Sequence, residues 1–179
     1  MSTSPFRLTT RRLTARPWSM RDRAALQRAA NFRVIGRMTA NVPYPYTSEA
    51  ARVWIQQTQR WLRQRPLERV HLAILLDDRV VGAIGADRNG DQAEIGYWIT
   101  PTLHGQGMMT EVVQAFVPFT LRLWPIERVI GRAFTENLAS MRVLEKAGFS
   151  REAVEVGALR KNGRLKDVQV ATLYRTKRR

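Results

Sequence analysis

An α/β domain with a mixed, mostly antiparallel sheet is the fold this sequence predicts, and three observations carry the prediction. Helical patterns come first, over residues 20–64. Three consecutive strand patterns joined by tight turns follow, over residues 70–99. Strands and helices then alternate to residue 174. Where the two halves join lies the stretch AEIGYWITPTLHGQGMMTEVV, residues 93–113. In it Ile95, Tyr97 and Ile99 alternate with Glu94, Gly96 and Trp98, the period of a strand. Gly105 and Gly107 then bracket one residue before an apolar helical run. A glycine loop opening a helix leaves backbone N–H groups unpaired at the positive end of the helix dipole, which suits a phosphate. Taken alone, the same pattern also describes a plain turn between strand and helix.

In chain order, residues 7–16 (RLTTRRLTAR) predict an edge strand stopped by Pro17. Asp22 is placed to cap a helix whose Ala25, Leu26, Ala29 and Phe32 share a face. A short helix over residues 33–38 follows, then a loop, NVPYPY, fixed by two prolines, whose tyrosines either line a substrate mouth or pack. Thr47 or Ser48, with Glu49, opens a third helix with Val53, Trp54, Gln57, Trp61 and Leu62 as its stripe, ended by Pro66. Strands over 70–76, 80–86 and 92–99 are joined by turns at Asp77-Asp78 and Asn89-Gly90, the latter a strong hairpin signal. The helix over 107–123 contains Pro118, which is expected to bend or split it. A strand over 128–134, a helix over 138–147 capped by Gly148, and two strands over 149–159 and 165–174 complete the pattern. The last two flank the turn Lys161-Asn162-Gly163-Arg164, and the tail Lys177-Arg178-Arg179 is expected to be mobile. With no repeat and no linker, residues 1–179 read as one domain.

Composition narrows the chemistry. There is no cysteine, which removes disulfides, thiolate metal sites and a cysteine nucleophile, and His71 and His104 alone do not make a histidine metal centre. No apolar run is long enough to span a membrane, and MSTSPFRLTTRR lacks the apolar core of a signal peptide, so a cytoplasmic protein with no membrane partner is expected. The net charge of +15 admits two readings: a surface for nucleic acid, the ribosome or an acidic partner, or a solvated arginine-rich face with none. It also disfavours a polycationic substrate.

Four motifs in this order resemble the GCN5-related N-acetyltransferase superfamily, and within it the Rim-type branch that acetylates N-terminal amines of ribosomal proteins. They are TTRRLTARP at residues 9–17, EIGYWITP at 94–101, HGQGMMTEVV at 104–113 and ENLASMRVLEKAGFSRE at 136–152. The resemblance implies helices on both faces of the sheet and a splayed central strand pair, 92–99 and 128–134, with acetyl-CoA in the gap. It implies that backbone groups of His104, Gly105, Gln106, Gly107, Met108, Met109 and Thr110 surround the pyrophosphate. The strand edge at Trp98, Ile99 and Thr100 would take the pantetheine arm, and the N–H near Ile99 would polarise the thioester. Lys146 is a candidate for the 3′-phosphate. Met109 stands where the superfamily carries glycine or alanine, and is expected to crowd the helix or shift the pyrophosphate.

By the same resemblance, Ser140 is the acid for the leaving thiolate and Asn137 contacts pantetheine or acetyl, although Asn137 also suits a helix N-cap. Glu94 is the first candidate for the base, against the alternative of a salt-bridged strand carboxylate. Rim-type enzymes can instead carry a glutamate on the first strand of the last hairpin. The matching position here is Leu159, with Glu155 four residues earlier. Glu111 is expected to be structural and His104 structural or phosphate-contacting. The function implied is acetyl-CoA-dependent acetylation of a primary amine, a protein or peptide N-terminus or a small amine, by direct attack and without a metal. Two alternatives stand beside it: a basic RNA- or ribosome-binding protein that kept the fold without the chemistry, and an antibiotic or polyamine acetyltransferase. A monomer or a homodimer paired through the last hairpin is compatible with all three.

Overall fold

The computed structural model describes residues 5–176, so the tail Lys177-Arg178-Arg179 lies outside the described residues. The first expected strand is a small hairpin instead. Leu8–Thr9 (β1) pairs with Thr14–Pro17 (β2), because the chain folds back where Thr10 N–H donates to Leu13 O and Leu13 N–H donates to Thr10 Oγ1. A single helical turn then starts at Ser19, whose hydroxyl caps Arg21 N–H while Asp22 returns a bond to Ser19 N–H. Asp22 therefore does not cap Arg23–Ala30 (α1) with its side chain. Its carboxylate is taken by Ser19 N–H and by both terminal nitrogens of Arg16, at 2.7 and 2.9 Å. Helix α1 also stops before Phe32, which instead precedes Arg33–Met38 (α2) in extended conformation.

Thr47 caps Ser48–Arg63 (α3), as its sequence predicts, but the buried stripe is Ala51, Ile55 and Thr58. The stripe is turned by about a residue from the expected one: Val53 is 52% exposed, and Trp54 and Trp61 flank the buried line, the first meeting the His71 ring edge to face and the second at a tilt. Arg69–Leu76 (β3), Arg79–Asn89 (β4) and Gln92–Ile99 (β5) form the meander. Asp77 and Asp78 both take positive φ in the first turn. The second turn sits one residue later than expected. Asn89 pairs with Gln92, leaving Gly90 with φ +62° as the first central residue, the position at which a type II′ hairpin needs glycine.

Met108–Leu123 (α4) runs unbroken through Pro118. The carbonyl that Pro118 leaves unbonded belongs to Gln114, and both residues face solvent, where water can replace the lost donor. Arg128–Phe134 (β6), Leu138–Lys146 (α5), Ser150–Lys161 (β7) and Arg164–Tyr174 (β8) follow, with Gly148 (φ +95°) turning the chain out of α5. All eight strands join one sheet in the order β1-β2-β3-β4-β5-β6-β8-β7, with β5–β6 its parallel pair.

Strand β3 shows how the faces divide. Val70, Leu72 and Ile74 point into a cluster with Val112, Phe116, Met141 and Leu144 of α4 and α5. Ala73 and Leu75 point the other way, toward Leu26, Ala30, Ala51 and Ile55 of α1 and α3. Both faces are therefore covered by helices. Close packing at Gly131 helps seat α5: a Cβ there would lie 2.5 Å from Leu144 Cδ2. Among the described residues no helix is long and apolar enough to cross a membrane.

Candidate active site

The central strands part halfway along. Register between β5 and β6 runs from Gln92↔Arg128 to Ile95↔Gly131 and ends there. Beyond it β5 continues against β4 to Ile99↔Gly82, and β6 continues against β8 to Phe134↔Val168. Thr100 N–H donates to Val81 O on the β4 side. Since main-chain groups of alternate residues point to opposite sides of a strand, Tyr97 and Ile99 present theirs to the gap. His104 Nε2 donates to Ile99 O at 3.0 Å, leaving Ile99 N–H and both main-chain groups of Tyr97 facing it. Thr100, expected along this edge, turns its N–H away, and the Trp98 ring packs against the α1–α3 cluster. His104 fastens the end of β5.

Beneath the gap, Gly105 and Gly107 take φ of +75° and +71°. A residue with a Cβ enters that region only at a cost, so the loop's course depends on them. Gly107 caps α4 without a side-chain hydrogen bond, and the first helical bond is Glu111 N–H to Gly107 O. The N–H groups of Met108, Met109 and Thr110 are thus the unpaired first turn. Met108 and Met109 are each 7% exposed and belong to the hydrophobic core beneath the sheet, so the Met109 side chain is taken up in core packing. Gln106 bonds Thr102 O through its side-chain amide. The Arg12 guanidinium stands over this turn, donating to Gln106 O at 3.1 Å and lying 3.8 Å from where a Gly107 Cβ would be.

Glu111 holds Arg12 there. Its carboxylate accepts from Thr10 Oγ1 (2.6 Å), Arg12 N (2.8 Å) and Arg12 Nε (2.8 Å). Desolvation pulls this carboxyl upward, but the bonds from Thr10 and Arg12 and the Arg12 charge outweigh it and hold its pKa at about 2. Glu111, in the first turn, is therefore occupied and does not fill the anion position itself.

Across the gap, Asn137 caps α5 by accepting Ser140 N–H at 3.1 Å, and its amide donates to Met38 O at 3.3 Å. Ser140 Oγ lies 3.0 Å from the Tyr97 phenol, which also donates to Ser140 O at 3.1 Å. Burial pushes the Tyr97 phenol above its ordinary pKa, against the bond with Ser140. Lys146, at the far end of α5, is tied by its carbonyl to Gln114 Nε2 at 2.9 Å. Gln114 lies well past the first turn of α4, so the main chain of Lys146 sits beside the body of that helix and not at its loop.

On the opposite face of β5, Glu94 stands directly across from Asp87, and Asp87 bonds His71 Nε2 at 2.7 Å. Arg132 bridges two carboxylates, 3.8 Å from Glu94 and 3.0 Å from Glu155. Partial removal from water raises the Glu94 pKa; Arg132 pulls it down, and Asp87 and Glu155 push it up again. The space above Gly96, next on this face, holds no atom within 4 Å of where a Cβ would stand.

A model of the acetyltransferase (GNAT) domain family matches residues 12–150, which span β2 through the start of β7. The chain belongs to the GNAT acetyltransferase family. It is 34% identical over 134 residues to the probable N-acetyltransferase YjcK of Bacillus subtilis (strain 168), covering 72% of this chain and 73% of that one. Mycobacterium smegmatis RimJ, solved in complex with a CoA-disulfide, shares the fold with a TM-score of 0.85 at 20% identity, over 95% of this chain and 88% of its own. A RimL ribosomal L7/L12 alpha-N-protein acetyltransferase in complex with coenzyme A gives 0.83 at 22%, over 94% and 97%.

Two residues beside the candidate site of this GNAT chain, Arg12 and Glu155, were not assigned a role from sequence. Arg12 sits in the TTRR segment, and only the hairpin β1–β2 brings it to the loop some 95 residues away. Glu155 is displaced by irregular pairing: β7 spends four residues from Glu155 to Leu159 while β8 spends two, from Val168 to Lys166. Gly157, with φ +62°, absorbs the excess, and counting along the strand therefore misses Glu155.

Proposed function

We propose that this GNAT enzyme transfers the acetyl group of acetyl-CoA to a primary amine, a peptide or protein N-terminus foremost. The observation that carries the reading is the splay itself, with free main-chain groups on Tyr97 and Ile99 above an uncapped helix start. The residues present fit coenzyme A. Met108, Met109 and Thr110 N–H, with Arg12, supply donors and positive charge for a pyrophosphate, and Gly105 and Gly107 keep the approach open. Tyr97 supplies a strand edge for an amide-bearing arm.

When bound, acetyl-CoA supplies an activated thioester whose acetyl carbon the amine attacks, releasing the thiol. Ile99 N–H donates to the oxygen on which charge develops. Ser140 Oγ–H is placed by Asn137 and Tyr97 to give the departing sulfur its proton. Glu94, facing the open space over Gly96 with a raised pKa, takes the proton the amine loses. No cysteine exists to carry an acyl group, so transfer is direct within a ternary complex. This reading includes a cytoplasmic enzyme of one domain, as a monomer or homodimer.

Calorimetric titration with acetyl-CoA at about 0.15 M salt tests it, with ATP as the control for a basic protein that attracts polyphosphates. One-to-one binding of acetyl-CoA well above ATP is expected. Equal weak binding of both rejects the cofactor site.

A further inference from the structure

A cavity of about 380 Å³ lies between α2 and the tip of the β7–β8 hairpin, lined by Arg37, Lys161, Asn162, Arg164 and Lys166. Four of its five lining residues are cations. The hairpin is strapped against the chain beyond α2, where Lys161 Nζ donates to Ala40 O at 3.2 Å and Val42 O at 2.8 Å. Lys166 Nζ pairs with Glu136, 3.0 Å away. Among the described residues the side chains of Arg37 and Arg164 have no hydrogen-bond or ion-pair partner. Two unpaired guanidinium groups and the two partly buried lysines Lys161 and Lys166 thus border one open-sided cavity.

The place of this cavity ties it to the transfer site. Arg37 precedes Met38, whose carbonyl accepts the Asn137 amide, and Asn137 caps the helix turn that presents Ser140. Glu136, partner of Lys166, is the residue before Asn137. An extended acceptor chain advances about 3.3 Å per residue, so residues beyond the amine are read outside the transfer centre itself.

We propose that the cavity is a subsite for acidic side chains of the acceptor, so that the enzyme selects peptides with Asp or Glu a few residues after the amino terminus. The proposal rests on the acetyltransferase reading given above. Guanidinium forks match carboxylates in two-point geometry. A nucleic-acid strand is the poorer occupant, since it asks for an extended basic track with aromatic platforms, and no aromatic residue lines this bounded cavity.

Two peptides, Ala-Gly-Glu-Asp-Glu-Gly-Trp and Ala-Gly-Gln-Asn-Gln-Gly-Trp, test it with acetyl-CoA saturating. The acidic peptide is expected to show a KM lower by about tenfold or more at equal kcat, the size of one or two charge-assisted bonds. The gap should narrow as salt rises from about 0.05 to about 0.3 M. In the double variant Arg37→Gln, Arg164→Gln the two KM values should converge; both side chains are unpartnered, so the fold does not depend on them. Equal KM values in the wild type, or a gap kept in the double variant, overturn the subsite. So does a polyuridylate that binds more tightly than the acidic peptide and is lost with the two arginines. Wild-type titration with acetyl-CoA separates the levels: no binding removes the transferase reading and the subsite together, whereas binding without peptide preference removes the subsite alone.

Discussion

The Tyr97 phenol oxygen lies 3.0 Å from Ser140 Oγ, joining the open end of β5 to the first turn of α5 across the mouth of the splay. The contact holds the serine hydroxyl beside the gap, and in the mechanism proposed above it makes Tyr97 a positioning residue. Ser140→Ala is expected to lower kcat about a hundredfold, the usual scale for a lost general acid, with the acetyl-CoA dissociation constant within a factor of about two. Tyr97→Phe should lower kcat less and leave KM for the amine unchanged. A wild-type rate in Ser140→Ala removes that residue from the mechanism.

Gly107→Glu places a Cβ at φ +71° and a carboxylate beneath the unpaired N–H groups of α4. Binding of acetyl-CoA should be abolished. Arg12→Lys is the gentler companion: it keeps the charge, loses the guanidinium fork on Glu111 and Gln106 O, and should weaken binding about tenfold. Calorimetry on folded samples reads both. Affinity unchanged in both variants would move the phosphates elsewhere.

The acidic limb of the kcat/KM profile should report Glu94, since a base works only as the carboxylate. Its pKa lies above the ordinary value, with Arg132 opposing the rise. Arg132→Gln removes that opposition, so the limb is expected to shift to higher pH, while Glu94→Gln should erase it along with most of the rate. A limb that stays put in Arg132→Gln assigns the titration to another group.

Glu111 makes a separate claim about stability. Its folded pKa is about 2 against an ordinary 4.5, so the unfolded chain takes up the proton first on acidification. The stability it contributes is complete above about pH 4.5 and is lost as pH falls toward 2. Urea unfolding of Glu111→Gln should therefore show a clear loss at about pH 6 and little at about pH 2.5. The same loss at both would mean that packing and not charge is what Glu111 supplies.

Much of the order was legible because it is local. The glycine loop, the Asn137 cap and the strand alternation of residues 92–99 are each written within a few positions. What escaped depends on distant chain. The buried face of α3 turns on where β3 offers Ala73 and Leu75, and a helix with Val53, Trp54, Ile55 and Leu62 has apolar choices on more than one side. Arg12 reaches the loop only because Thr10 and Glu111 fix the hairpin. Glu155 reaches Arg132 only because β7 carries surplus residues, which alternation alone cannot reveal.

The splay also means that the polypeptide does not complete its own sheet. The main-chain groups of Tyr97 and the N–H of Ile99, which would bond a neighbouring strand, meet none beyond the end of the β5–β6 pairing. Whatever fills the seam adds its binding free energy to the folded state alone, by about 2.7 kcal/mol at a hundredfold excess over its dissociation constant. The melting temperature of such a protein is a gauge of its supply of ligand, and resistance to unfolding would rise and fall with the acetyl-donor pool around it.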